Sequence, residues 1–195
     1  PHVGFGTANT EASPEAAAAA TGRAIAAGMS HIDCAALYRS EKAIGAELAA
    51  QCCTSGDARG QLWITSKLWL TNFAPDHVEA ACRHTLADLG VDYLDLYLLH
   101  APVALEHTGI PPKEWTPRDD RGNAKCADVA LSATWAAMEG LVSAGLVRHI
   151  GVSNFSLQEL DALCDCAKIR PYVNQCELHP HHQQRQLVAG CRAWG

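Results

Sequence analysis

No apolar run in this 195-residue chain reaches the roughly 18 residues that a membrane-crossing helix needs. The opening residues, Pro1-His2-Val3-Gly4-Phe5-Gly6, have neither the basic start nor the apolar stretch of a secretory signal. Basic clusters are missing too. Fifteen Lys and Arg stand against 21 Asp and Glu, a formal net charge of −6, whereas binding a phosphate backbone needs a surplus of positive charge on some face. Neither nucleic acid nor a membrane is an expected partner. Nine cysteines could suggest disulfides, but the number is odd and the spacing irregular. Cys52-Cys53 and Cys164-x-Cys166 lack the two-residue gap of paired zinc ligands. Cys34 and Cys176 lie inside apolar runs, where a thiol behaves as a small hydrophobe. Reduced thiols in a cytoplasmic setting are the expectation.

What is present is a regular alternation of short apolar and longer amphipathic stretches. With 48% hydrophobic and 18% charged residues, the composition suits one globular domain over residues 1–195. Strands are predicted over 3–7, 31–37, 62–68, 93–99, 147–152 and 172–178. Helices are predicted over 13–27, 41–53, 74–90, 127–144, 157–167 and 183–193. The signals are local. Ser13-Pro14-Glu15 reads as a helix start, Gly28 and Gly90 as stops, and Leu131, Trp135, Met138, Leu141 and Val142 recur at helical spacing. Residues 56–60 read as a loop. Residues 101–125, rich in Pro and charge, read as one long loop of the kind that usually carries function.

Six strand–helix units in series predict a parallel sheet with right-handed crossovers. An open doubly wound sheet and a (β/α)8 barrel both satisfy that pattern. Gly4-x-Gly6 lacks the third glycine of a dinucleotide fingerprint and is read as a tight strand-end turn. Either architecture gathers its chemistry at the strands' C-terminal ends. There the chain places Asp33 and Tyr38, then Lys67, then His100, then Ser153-Asn154, with Gln175 in the sixth strand. In a barrel these ends face one mouth. A free phenol, titrating near 10, is a poor proton donor at neutral pH. An adjacent ammonium favours the phenolate, and Lys67 can supply one. A carboxylate such as Asp33 would hold the lysine in place, and His100 could orient a substrate oxygen.

Five stretches carry a resemblance: Asp33-Cys-Ala-Ala-Leu-Tyr38-Arg-Ser-Glu41, Ile64-Thr-Ser-Lys67-Leu-Trp69, Leu98-Leu-His100, Gly151-Val-Ser-Asn-Phe155 and Asn174-Gln-Cys-Glu-Leu-His-Pro180. Together, in this order, the chain resembles the aldo-keto reductase superfamily. The resemblance implies an α/β fold, a parallel (β/α)8 TIM barrel of which this chain carries about six β/α units, ending after the sixth helix. Barrels of this type run to about 250 residues, so the sequence is expected to be part of a longer one. The seventh and eighth strands, an aromatic that stacks on the nicotinamide and a basic loop for the adenosine 2′-phosphate are not among these residues. The implied activity is NADPH-dependent reduction of a small-molecule carbonyl by a monomer, with NADH not excluded. By the same resemblance Tyr38 is the general acid, Lys67 and Asp33 its tuning pair, and His100 the carbonyl-orienting group. Thr7, Asp33, Ser153, Asn154 and Gln175 contact the cofactor, and Trp69 and His100 line the substrate pocket; Trp115, in the long loop that would overhang the pocket, is a candidate substrate contact by its position. A nicotinamide-binding regulatory subunit and an inactive fragment remain alternatives.

Two places depart from the family's habit. Ala8 and Ala101 stand where aromatics are common, and both changes open the pocket mouth, so a bulkier carbonyl is expected. His179-Pro180-His181-His182 invites a metal reading, but no second half-site supports it, and a solvated surface turn is expected instead. Glu177 reads equally as a cofactor-side contact or a helix cap. Cys34, within a strand, lacks the exposure of a redox switch. Trp63, Trp135 and Trp194 are read as packing residues.

Overall fold

A computed structural model describes residues 1–8, 13–51 and 53–194; Cys52 lies outside them. Local chemistry sets several helix ends. The Ser13 hydroxyl accepts the Ala16 N–H at 3.2 Å and Pro14 fills the first position of α1 (Pro14–Ala26). Helix α2 spans Glu41–Ala50, and α3 is a short turn of helix over Gly56–Gly60. Helix α4 (Pro75–Leu89) stops at Gly90, whose φ of 66° suits a residue without Cβ. Helix α5 covers Leu131–Ser143. Ser156 and Glu159 form a reciprocal capping box on α6 (Leu157–Cys164), and α7 covers Arg185–Trp194.

The strands are β1 (Phe5–Gly6), β2 (His31–Asp33), β3 (Trp63–Leu68), β4 (Leu94–Leu99), β5 (Val147–Ser153) and β6 (Asn174–Gln175). They form one parallel sheet in the order β1-β2-β3-β4-β5-β6. A doubly wound sheet reverses its strand order at a switch point; this order never reverses, as barrel winding requires. Helices α2, α4 and α5 cover the sheet through Ile44, Leu48, Leu86, Leu89, Trp135 and Met138, all buried against Ile64, Leu94 and Tyr97. Helices α2 and α4 meet backbone to backbone at Gly45, where an added Cβ would lie 2.1 Å from the Asp88 carbonyl oxygen. No helix among the described residues is long and apolar enough to cross a membrane.

Several boundaries differ from the sequence reading. Strand β2 stops at Asp33 rather than at 37, because the Cys34 carbonyl turns to accept from Lys67 Nζ at 2.9 Å and Ala36–Tyr38 coil into a 3-10 turn. Strand β6 keeps only two residues of 172–178. Its backbone pairs with β5 alone, and past Gln175 the chain leaves the sheet, so Leu178 is exposed and Cys176 only half-buried. Residues 56–60, expected as a loop, are the helical α3, which buries Arg59. Helix α5 starts at Leu131, not 127, since Ala127 and Val129 are tied into the preceding loop by backbone bonds. Helices α2 and α6 end three residues earlier than the periodicity suggested.

Candidate active site

Five strand ends, β2 to β6, deliver the polar cluster. Lys67 is almost wholly buried, at 1% exposure, near the end of β3. Its ammonium donates to Asp33 Oδ1, to the Cys34 carbonyl at 2.9 Å and to the Tyr38 hydroxyl at 3.3 Å. The 3-10 turn after β2 brings Tyr38 round onto that ammonium. A lone charge so deep would be costly, and the Asp33 carboxylate offsets it. Asp33 is anchored twice more: its Oδ2 accepts from Gln175 Nε2 at 2.6 Å, and its carbonyl accepts from the Thr7 hydroxyl at 2.9 Å.

His100 closes the cluster from the end of β4. Its ring lies edge-on to Tyr38, centroids 5.8 Å apart, and edge-on to Trp69 at 5.3 Å. Burial first, and the Lys67 charge second, push its pKa down to about 4. The imidazole is therefore neutral at neutral pH. Its Nδ1 is buried without a partner among the described residues, and the other nitrogen is left for a ligand.

The next strands add an amide group. Asn154, whose φ is 64°, donates from Nδ2 to the His100 carbonyl at 2.9 Å and to Ser153 Oγ at 3.1 Å. Ser153 Oγ donates to the Gln175 carbonyl at 2.9 Å. Asp33, Tyr38, Lys67, His100, Ser153, Asn154 and Gln175 thus form one connected cluster, and Thr7 stands behind Asp33 with its hydroxyl already engaged. Trp69 and Trp115 meet at its flank, the Trp69 indole N–H donating to the Trp115 carbonyl at 2.5 Å.

The remaining sequence signals fall elsewhere. His179 and His182 pair across an exposed turn, and His179 Nε2 lies 2.8 Å from a Glu177 carboxylate oxygen. Burial pushes the Cys34 thiol up, away from reactivity. Trp135 is core, Trp63 stacks on His149, and the Trp194 indole donates to Asp161 at 3.0 Å. Glu41, the last residue of the Asp33–Glu41 motif, is buried beside the site. Its carboxylate accepts from Ser66 Oγ at 2.5 Å and from Thr85 Oγ1 at 3.1 Å, and burial pushes its pKa up to about 7. An acidic residue opening a helix reads in sequence as a simple first-turn charge, so no signal marked it.

The model of the aldo/keto reductase family matches residues 2–195. The chain belongs to the aldo/keto reductase family. Aldo-keto reductase family 1 member A1 of Cricetulus griseus is 42% identical to it over 197 residues, across 100% of this chain and 59% of that protein. An aldo/keto reductase of Synechocystis is 44% identical over 188 residues, across 96% of this chain and 55% of that protein. Among solved structures, the aldose reductase of Giardia lamblia superposes with a TM-score of 0.90 at 43% identity, covering 98% of this chain and 62% of that one. The aldose reductase of Schistosoma japonicum gives 0.89 at 36% identity. The chain therefore spans less than two thirds of these relatives' length, and its six units are part of a (β/α)8 reductase barrel. Within that barrel the cluster sits where the fold class puts its chemistry, at the strands' C-terminal ends.

Proposed function

We propose that the barrel containing this chain reduces aldehydes or ketones to alcohols, with Tyr38 as the proton donor. The contact that carries the reading is the Tyr38 hydroxyl, 3.3 Å from a buried ammonium that is itself held by Asp33. A reduced nicotinamide cofactor, NADPH by the family resemblance with NADH also chemically competent, supplies the hydride for the carbonyl carbon when bound. The residues fit such a group. Asn154 Oδ1 and Gln175 Oε1 have no hydrogen-bond partner among the described residues, so two acceptors remain for the N–H groups of a nicotinamide carboxamide. Ser153 Oγ and the His100 carbonyl orient the Asn154 amide, and Asp33 Oδ2 orients that of Gln175.

The protein's own part is the proton. As the substrate oxygen gains charge, the Tyr38 O–H donates to it, and the Lys67 ammonium stabilises the phenolate left behind. Asp33 keeps that ammonium fixed and compensated. His100, neutral at working pH, donates its single N–H to the carbonyl oxygen and does not compete as an acid. Positioned general acids of this kind contribute about 10²–10⁴ in rate.

The test is NADPH oxidation with a reactive aromatic aldehyde, wild type against Tyr38→Phe. The expected outcome is a fall in kcat of about 10²–10⁴ with unchanged cofactor affinity. Cofactor binding with no turnover in the wild type would make this a nicotinamide-sensing chain instead. Ala8 and Ala101 are small where the family often carries aromatics, so kcat/KM is expected to favour bulky over small aromatic aldehydes. A ranking that favours small ones overturns that substrate class.

A further inference from the structure

A second cavity lies outside the strand wall. Its volume is about 310 Å³, at the small end of ligand sites, and it opens between α2, α4 and residues 110–115 of the long loop. It is not the cleft of Tyr38 and His100. Its apolar lining comes from Trp69, Trp115, Ile110, Pro111, Pro112 and Ala81 of α4. Trp69 is the partition, touching His100 with one edge while lining this cavity.

Two features mark the cavity as more than a packing gap. The first is Asn72, which lines it. Asn72 is 3% exposed, and its Oδ1 is buried with no hydrogen-bond partner among the described residues. A buried acceptor left open in this way loses its hydration without return, and a ligand hydroxyl or N–H would satisfy it once the amide turned toward the cavity. The second is the charge at the mouth. Arg39 and Lys42 both line the cavity and both are exposed. Arg39 sits 5.2 Å over the Trp115 ring, and neither cation forms an ion pair among the described residues.

Two carboxylates, Glu41 and Asp88, also line the cavity, and both are less exposed than the two cations. Both Glu41 oxygens are taken by Ser66 and Thr85, and Asp88 lies 3.4 Å from His84 on its own helix. The exposed charges are positive and stand at the rim of an aromatic slot. We propose that this cavity is a second small-molecule site, taking a flat aromatic carboxylate that also bears a hydroxyl or N–H for Asn72. The carboxylate meets Arg39 and Lys42, and the ring lies against Trp69 and Trp115. The site stands on its own residues and does not depend on the reductase reading. Because the two sites share Trp69, occupancy of one is expected to alter the affinity of the other by the same factor in both directions.

Hydroxynaphthoate, followed by its own fluorescence and by calorimetry, is a suitable probe of the 195-residue chain without cofactor. One saturable site is expected in the wild type, with naphthol, which lacks the carboxylate, binding about tenfold more weakly. Replacing both rim cations, Arg39→Gln with Lys42→Gln, is expected to weaken hydroxynaphthoate by about tenfold, the combined reach of two exposed charge contacts. Both positions are exposed, so the fold is not at risk. Ala81→Phe fills the slot and is expected to abolish binding, whereas Ala101→Trp, at the mouth of the catalytic cleft, leaves it unchanged. Binding that survives Ala81→Phe but is lost in Ala101→Trp would place the probe in the cleft and overturn the proposal. So would the absence of saturable binding, or equal affinity for naphthol.

Discussion

At the start of β3 and β4 a buried arginine pairs with a buried carboxylate; at the far end of β3 a buried lysine does the same. Arg59 and Asp95 are 2% and 1% exposed. Arg59 donates to the Leu62 carbonyl at 2.7 Å, the Tyr93 carbonyl at 2.8 Å and Asp95 Oδ2 at 2.8 Å. Asp95 also accepts from the Ile64 backbone N–H at 2.9 Å and from Arg148 at 3.1 Å. The Tyr93 ring has a guanidinium 4.0 Å from its centroid on either account, Arg59 and Arg148. Apart from Arg59 Nε, which has no partner, this end is closed, and its contacts only hold the sheet. The Lys67–Asp33 end is held as firmly, but one of its partners is a hydroxyl with a proton to give, and Asp33 keeps 15% of its side chain exposed. The same kind of ion pair is a staple where every contact is structural. It is a site where one contact faces a cleft.

The comparison breaks most visibly at the staple. Arg59→Met leaves the Asp95 carboxylate buried and is expected to cost about 3–5 kcal/mol, read from urea unfolding. Adding Asp95→Leu should recover much of that loss. If Arg59→Met alone costs less than about 1 kcal/mol, the two ends do not differ as described. Lys67→Met tests the other end. It is expected to lower kcat by about 10² or more with a smaller fall in stability than Arg59→Met, because Asp33 keeps Gln175 and some access to water. A larger loss of stability than of activity would make Lys67 a second staple.

Glu41 sharpens the contrast with a smaller, pH-dependent effect. Its pKa is raised in the fold from 4.5 to about 7, burial outweighing the hydrogen bonds from Ser66 and Thr85. A carboxyl raised in this sense stabilises the fold fully below 4.5 and loses that contribution as pH rises through about 7. Glu41→Gln is expected to remove this slope and to gain on the order of 2–3 kcal/mol at pH 8 relative to pH 5. Unfolding curves of both proteins at those two pH values check it; parallel slopes would mean that Glu41 is ionised in the fold throughout.

Much of the frame was legible in advance. Ser13-Pro14, Gly90 and the apolar stretch of β4 are local signals, and each fell where the chain's own chemistry puts it. The polar residues at the strand ends were legible for the same reason: the C-terminal end of a parallel strand is set by pattern, and a barrel turns those ends toward one another. What stayed hidden depends on partners far away in the chain. Strand β2 ends early because Lys67, 33 residues on, takes the Cys34 carbonyl. Residues 56–60 look like a loop until Arg59 reaches Asp95, 36 residues away. The cavity behind Trp69 belongs to no motif, being built from α2, α4 and the long loop together.

The sequence by itself determined the order of strands and helices, the family, and which acid, phenol, amine and imidazole stand at the strand ends. Periodicity, capping and motif spacing act over a few residues and are written directly into the chain. Only the tertiary structure decided that Lys67 touches Tyr38, that His100 is stripped of its charge, that burial raises the pKa of Glu41 and that Arg59 is a staple. Burial and long-range contact fix each of these, and both exist only once strands from distant parts of the chain lie side by side.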